Sequence, residues 1–261
     1  MSPSIYEQLA DAIRADHPVA LATVVTGPGP GGKVLLDGEG VIAATIDDAD
    51  LERVVVRDAL GELGAGRTGI RHYGEHGEAG ESEVTVFIET FAPPPRMLIF
   101  GAVDFTAALV RVAKVLGYRV TVCDARPVFA TTRRFPFADQ VVVQWPHRLI
   151  EEVGATLGPA DAVCVLTHDV KFDVPALMAA VATDVGYIGA MGSRRTHADR
   201  VVRLREAGAT EADLERIMAP IGLDLGGRTP EETAISICAE VIARRTGRNP
   251  GSLRGTDGAI H

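Results

Sequence analysis

The chain of 261 residues has few cysteines, no excess of basic charge and no long apolar run. Its three cysteines, Cys123, Cys164 and Cys238, fall within apolar segments and form no C-x-x-C pair. A disulfide frame is therefore not expected, and a reducing compartment fits. Buried structural thiols are the plain reading, with Cys123, at the tip of a strand, the one candidate for reactivity. A formal net charge of −9 supplies no field for phosphate backbones, which argues against nucleic acid as a partner. No stretch approaches the roughly 20 apolar residues needed to span a bilayer. The opening MSPSIYEQLADAIRADHP carries acids and no apolar signal core, so it is expected to be a helix of a cytoplasmic protein.

Also missing are two glycines of a dinucleotide-binding fingerprint. Arg96–Asp124 reads as strand, turn, helix, strand. Met97–Phe100 is a short apolar run stopped by Gly101, and Leu109, Val112, Ala113 and Leu116 form one stripe at helical spacing. Gly117 ends that helix, and Tyr118–Cys123 is a β-branched run ending at Asp124. In such a unit phosphates meet the helix N-terminus and the acid takes the ribose hydroxyls. The turn itself is Gly101-Ala102-Val103-Asp104-Phe105-Thr106, so only the first glycine of G-x-G-x-x-G is present. Val103 adds bulk where the backbone would approach a pyrophosphate, and Asp104 adds a negative charge at the helix start. An NAD(P) site and a modified or empty crevice both remain open on these residues.

What is present is ordinary for a globular chain, 46% hydrophobic and 23% charged, and long enough for one large or two modest domains. Residues 1–92 form a candidate α+β unit: an amphipathic helix marked by Ile5, Leu9, Ala12 and Ile13, a strand Val19–Val25, a hairpin of Lys33–Leu36 and Gly40–Thr45, a helix Asp50–Leu63 and a strand Val84–Glu89. The glycine-rich Thr26–Gly32 beside Lys33 could cradle an anion, but its two prolines remove donors and it lacks a G-K-[ST] ending, which favours a hairpin connection. His72 and His76 are four apart, yet the surrounding glycines oppose a helix that would align them for a metal. The prolines of 93–96 act as a linker, with the boundary near Pro94.

Residues 97–248 alternate strand and helix, which predicts a doubly wound parallel sheet of Rossmann type, covered on both faces. Expected elements are strands Val141–Val143, Asp161–Leu166 and Val185–Ile188, and helices Arg148–Leu157, Val174–Val181, Thr196–Ala207, Thr210–Met218 and one opened by Thr229-Pro230-Glu231-Glu232. Residues 249–261 read as a flexible tail. Ligand groups in such sheets gather at the carboxyl ends of strands: here Gly101–Asp104, Asp124–Arg126, Thr167–Asp169 and Gly189–Arg195. His168 is a candidate acid or base with Asp169 as its orienting partner, although Asp169 and Asp173 are equally helix caps. Gly192, Ser193, Arg194 and Arg195 open a helix where N–H groups, a hydroxyl and two guanidinium groups can converge on an anion.

Several motifs then fit together: Arg134-Phe135-Pro136 with Ala138-Asp139, Leu166-Thr167-His168-Asp169, Tyr187-Ile188-Gly189-Ala190-Met191-Gly192-Ser193-Arg194-Arg195, Pro220-Ile221-Gly222-Leu223-Asp224, and Thr229-Pro230-Glu231-Glu232 with Ala239-Glu240. In this combination and order the chain resembles the XdhC/CoxI accessory proteins of molybdenum-containing hydroxylases. The resemblance implies a C-terminal Rossmann domain behind a small N-terminal domain, and a cytoplasmic, non-catalytic helper that binds the molybdenum cofactor and delivers it to an apo-enzyme. It also implies a cysteine desulfurase as second partner, and a homodimer is the assembly carried with that expectation. The implied cofactor-binding residues are Gly101, Ala102, Val103, Asp124, Arg126, His168, Gly192, Ser193, Arg194 and Arg195. The chain departs from the family where Ala43-Ala44-Thr45 replaces a Gly-Gly-Cys, near Ala79-Gly80-Glu81 where a Cys-Gly-Gly is replaced, and at Val103-Asp104 of the glycine turn.

Overall fold

In a computed structural model, which describes residues 3–78 and 82–255, the chain falls into two compact units, Met1–Pro93 and Pro94–His261. The first is an antiparallel sheet of five strands in the order β3-β2-β1-β5-β4: β1 Val19–Thr26, β2 Lys33–Leu36, β3 Val41–Ala44, β4 Gly69–Tyr73 and β5 Val84–Phe91. Alternation along β1 sorts its side chains by face. Ala20, Ala22 and Val24 pack under Leu51, Val55 and Ala59 of helix α2 (Ala49–Ala65). Val19 and Leu21 meet Leu9 of helix α1 (Ile5–Arg14), which Ser4 and Glu7 start with a reciprocal capping box.

Strand β4 had no counterpart in the sequence reading. Its residues are mostly exposed, so no apolar alternation marks it, and only pairing with β5, Gly69 opposite Ile88 through Tyr73 opposite Val84, makes it a strand. His72 lies on this edge strand with Nδ1 3.3 Å from Thr85 Oγ1, while His76 bonds Asp48 at 2.6 Å, so the two imidazoles serve different partners. No group of three or more His, Cys, Asp or Glu side chains suited to a metal occurs among the described residues. The glycine-rich loop is a hydrogen-bonded hairpin connection: Gly31 N–H donates to Val24 O, and Lys33 Nζ donates to Gly31 O at 3.1 Å. Thr45 accepts the Lys33 N–H at 2.9 Å, and Ala79-Gly80-Glu81 lie outside the described residues.

The second unit is a six-stranded, all-parallel sheet in the order β11-β10-β9-β6-β7-β8. Its strands are β6 Arg96–Phe100, β7 Arg119–Cys123, β8 Gln140–Val142, β9 Ala162–Val165, β10 Tyr187–Ala190 and β11 Ile217–Met218. Helices α3 (Asp104–Val115) and α8 (Pro230–Thr246) cover one face, burying Leu109, Ala113, Ile237, Cys238 and Val241 against Met97, Ile99, Val120 and Cys164. Helices α4 (Pro146–Val153), α5 (Val170–Val181) and α6 (Arg194–Glu206) cover the other, burying Leu149, Ile150, Leu177, Ala180 and Leu204 against Leu98, Phe100, Val163 and Ile188. With both faces covered, the strands are nearly continuous apolar runs. The chain runs outward from β6 to β8 and returns to place β9 on the other side of β6. That reversal opens the crevice between the β6 and β9 loops.

Two expected helices differ in the structure. Thr210–Met218 is not one helix: α7 (Glu211–Glu215) stops, and Ile217 pairs with Ile188 to add β11. Arg216 forces the break by donating to the Val181, Thr183 and Val185 carbonyls. Helix α5 begins at Val170, a turn earlier than the proline suggested, so Pro175 lies inside it and Asp173 is not a cap. Beyond Arg248, Leu253–Gly255 forms a 3-10 turn, and residues 256–261 lie outside the described residues.

Candidate functional site: the carboxyl ends of the parallel strands

At the end of β6 the backbone is bent by Gly101, whose φ of +108° suits glycine alone. A Cβ there would stand 2.7 Å from Thr167 Cγ2, so the β6 and β9 loops touch at the point where the crevice opens. The first three N–H groups of the following turn already have acceptors: Gly101 donates to Cys123 O at 2.9 Å, Ala102 to Asp124 Oδ2 at 2.8 Å, and Val103 to Thr106 Oγ1 at 3.3 Å. Asp104 then occupies the first position of α3, its carboxylate exposed, with Arg134 3.7 Å away. The donors that Gly101, Ala102 and Val103 would offer a pyrophosphate are thus taken from within.

Asp124 sits at the tip of β7 but does not face outward. It is 3% exposed and accepts four hydrogen bonds, from the Ala102 N–H and from the Arg126 N–H, Nε and Nη2, all between 2.8 and 2.9 Å. Burial alone would raise its carboxyl; the Arg126 and Ala102 donors outweigh that and hold it below the usual carboxylate range. Where a ribose was expected, the lone pairs of Asp124 are engaged by Arg126 and the turn. Cys123 is not poised for reaction, since burial pushes its thiol up to about 12 and the S–H donates to Gln144 O.

In the β9 loop His168 is exposed and makes no hydrogen bond among the described residues. Asp169 is the N-cap of α5, accepting the Lys171 N–H at 3.2 Å, so the expected His168–Asp169 pair does not form. The carboxylate that matters is Asp173, one turn on. It is buried, accepts from Thr167 Oγ1, and pairs with Arg200 of α6 at 3.0 Å. Burial pushes the Asp173 carboxyl up, and the Thr167 and Arg200 contacts do not cancel it.

The β10 loop differs from the β6 loop in what it leaves open. Ser193 caps α6, its hydroxyl accepting the Thr196 N–H at 3.1 Å. Among the described residues, the N–H groups of Gly192, Ser193, Arg194 and Arg195 have no intramolecular acceptor, and neither arginine has an acidic partner. Gly192 has φ +145°, and a Cβ on it would lie 3.2 Å from Thr196 and 3.6 Å from Arg200 Nη2. That guanidinium, 4% exposed, is anchored to Met191 O at 2.7 Å, while its Nη1 is buried without a partner. Burial and Arg200 together lower the neighbouring His197. Four open amides at the positive end of a helix dipole, two unpaired arginines and one buried guanidinium are donors of the type that could hold an anion such as a phosphate. Arg200 was missed from sequence because an arginine in the polar run Arg194–Glu206 reads as solvated; its signal lies only in the fold.

Comparison with known proteins agrees with this architecture. Residues 97–241 match the XdhC Rossmann domain, and residues 12–74 match the XdhC and CoxI family. A probable xanthine dehydrogenase subunit from Bacillus subtilis is 32% identical over 63% of this chain and 47% of its own length. The molybdenum cofactor insertion chaperone PaoD of Escherichia coli is 29% identical over 59% of this chain and 42% of its own length. The chain spans less than half the length of these curated relatives. A crystal structure of a xanthine dehydrogenase from Bacillus halodurans shares the fold with a TM-score of 0.52 at 19% identity, covering 93% of this chain and 96% of that one. With its Rossmann domain, its antiparallel N-terminal sheet and both family matches, the chain belongs to the XdhC and CoxI family.

Proposed function

We propose that this protein is an accessory factor in the maturation of a molybdenum hydroxylase, binding the molybdenum cofactor and handing it to the apo-enzyme. The observation that carries the reading is the contrast between the approaches to two helices: the Gly101, Ala102 and Val103 amides ahead of α3 are filled, whereas Gly192 and Ser193 ahead of α6 keep theirs open, beside the amides and guanidinium groups of Arg194 and Arg195. A cofactor phosphate fits that donor set, with Arg200 as a buried cation beneath Gly192 and its unpartnered Nη1 a spare donor. The family membership and a relative named as a molybdenum cofactor insertion chaperone support the same cargo.

In this reading the chain binds and releases, without turnover. Ser193 sets the start of α6 and aims its amides; the Asp173–Arg200–Thr167 cluster fixes α6 against α5 and the β9 loop. Exposed arginines give a hold that an apo-enzyme can compete away, since ion pairs in water contribute about 1 kcal/mol or less each. A cysteine desulfurase as second partner acts on the bound cargo directly. All three thiols of this chain are buried, burial pushing Cys123 and Cys238 up to about 12 and Cys164 well above its ordinary value, so none offers a thiolate for a sulfur relay. The test is reconstitution: the cofactor-loaded chain activates an apo-hydroxylase, and Arg194→Ala/Arg195→Ala reduces that activation at least tenfold. Equal activation by the double variant removes α6 from the mechanism.

A further inference from the structure

We propose that Arg126 is a specificity residue that occupies the ribose position of this Rossmann crevice, so that the chain rejects nicotinamide dinucleotides and admits ligands only from the α6 side. A carboxylate offers about four lone-pair positions, and on Asp124 all four are taken. Oδ1 accepts the Arg126 N–H and Nε at 2.9 Å each; Oδ2 accepts Arg126 Nη2 and the Ala102 N–H at 2.8 Å each. The two side-chain bonds are a fork of the kind Arg makes to planar carboxylates, and they stand where the 2′ and 3′ hydroxyls of a ribose would donate.

The plug is itself held in place. Arg126 Cζ lies 4.6 Å from the centre of the Phe129 ring, and Arg134 approaches the same ring at 5.7 Å. Arg134 Nη1 donates to Ala102 O at 2.9 Å and to Phe129 O at 3.2 Å. The Ala102 peptide is therefore gripped at both ends, its N–H by Asp124 and its carbonyl by Arg134, and the segment after β7 is stapled over the turn. A dinucleotide would have to break the fork, uncover the ring and free the turn before gaining its own contacts. This holds whatever anion the α6 end binds.

An arginine following the acidic residue is also the usual device for holding a 2′-phosphate, and the experiment separates the two roles. Full-length wild-type protein and Arg126→Ala are titrated with NADH and with NADP+ by calorimetry, with folding checked by circular dichroism. We expect no saturable binding of either nucleotide to wild type at millimolar concentration, and NADH binding to Arg126→Ala at least tenfold tighter than that limit, because two of the four acceptor positions of Asp124 are then open. NADP+ binding to wild type that is lost in Arg126→Ala overturns the proposal, as it makes Arg126 a phosphate ligand. Failure of a folded Arg126→Ala to bind NADH also overturns it, since closure then belongs to Val103 and Asp104. If Arg126→Ala does not fold, Arg126→Leu, which keeps apolar contact with Phe129 and offers no side-chain donor to Asp124, carries the same test.

Discussion

Replacing Arg200 by Met tests the floor of the α6 site. Arg200 and Asp173 face each other at 3.0 Å with side chains 4% exposed, so the substitution leaves a carboxylate in an apolar setting with Thr167 as its one remaining hydrogen-bond donor among the described residues. Removing one partner of a buried ion pair costs about 3–5 kcal/mol. For a domain of this size that is a fall in melting temperature of about 6–20 °C. The sign with pH follows from Asp173, whose carboxyl burial already holds above its ordinary value. A group with a raised folded pKa favours the fold below its unfolded pKa and loses that advantage as pH rises through the folded one. The penalty of Arg200→Met is therefore smallest in acid, where Asp173 takes up its proton, and grows toward neutrality. Urea unfolding at about pH 5 and about pH 7.5 reads this directly. Arg200→Met/Asp173→Leu, which removes both charges, recovers most of the loss. A penalty below about 1 kcal/mol at neutral pH, or one that does not change with pH, refutes the buried-pair reading.

Gly101→Ala meets both a positive φ and Thr167 Cγ2 at 2.7 Å, and we expect a loss of about 1–3 kcal/mol in chemical denaturation, with the β6 and β9 loops forced apart. The three thiols, all buried and raised, should resist an alkylating reagent in the native protein at pH 8 and react fully after denaturation; fast labelling of Cys123 would contradict its placement. The Asp48 hydrogen bond raises the imidazole of His76. His76→Asn should therefore lower the melting temperature at pH below the ordinary imidazole value, and the difference should vanish as pH rises through the raised one. A deficit that persists at alkaline pH assigns the effect to packing instead.

Elements with a strong period were legible before any coordinates. The Leu109, Val112, Ala113 stripe of α3 and the apolar runs of β6, β7 and β9 follow from burial on two faces, which leaves one-dimensional traces. Strand β4 and strand β11 left none: the first is an exposed edge, the second two residues recruited by Arg216. At the site, the residue types at α6 and their relation to a helix start were readable, because caps and dipoles are local. What Asp124 does was not, since an acid at a strand tip reads the same whether it faces a ribose or an arginine two residues on. Arg200 left no signal, and Asp173 read as a helix cap, for a related reason. Charges in helices are assigned to solvent until the fold shows them buried together.

The central claim is that the α6 turn holds the cofactor. Its most direct test is the pterin content of the protein purified from cells that make the molybdenum cofactor, read as fluorescence after oxidation. Pterin should accompany the wild-type chain, fall at least tenfold in Arg194→Ala/Arg195→Ala with folding unchanged, and change little in Asp104→Asn at the α3 turn. Pterin retained by the α6 variant, or absent from the wild-type chain, would contradict it.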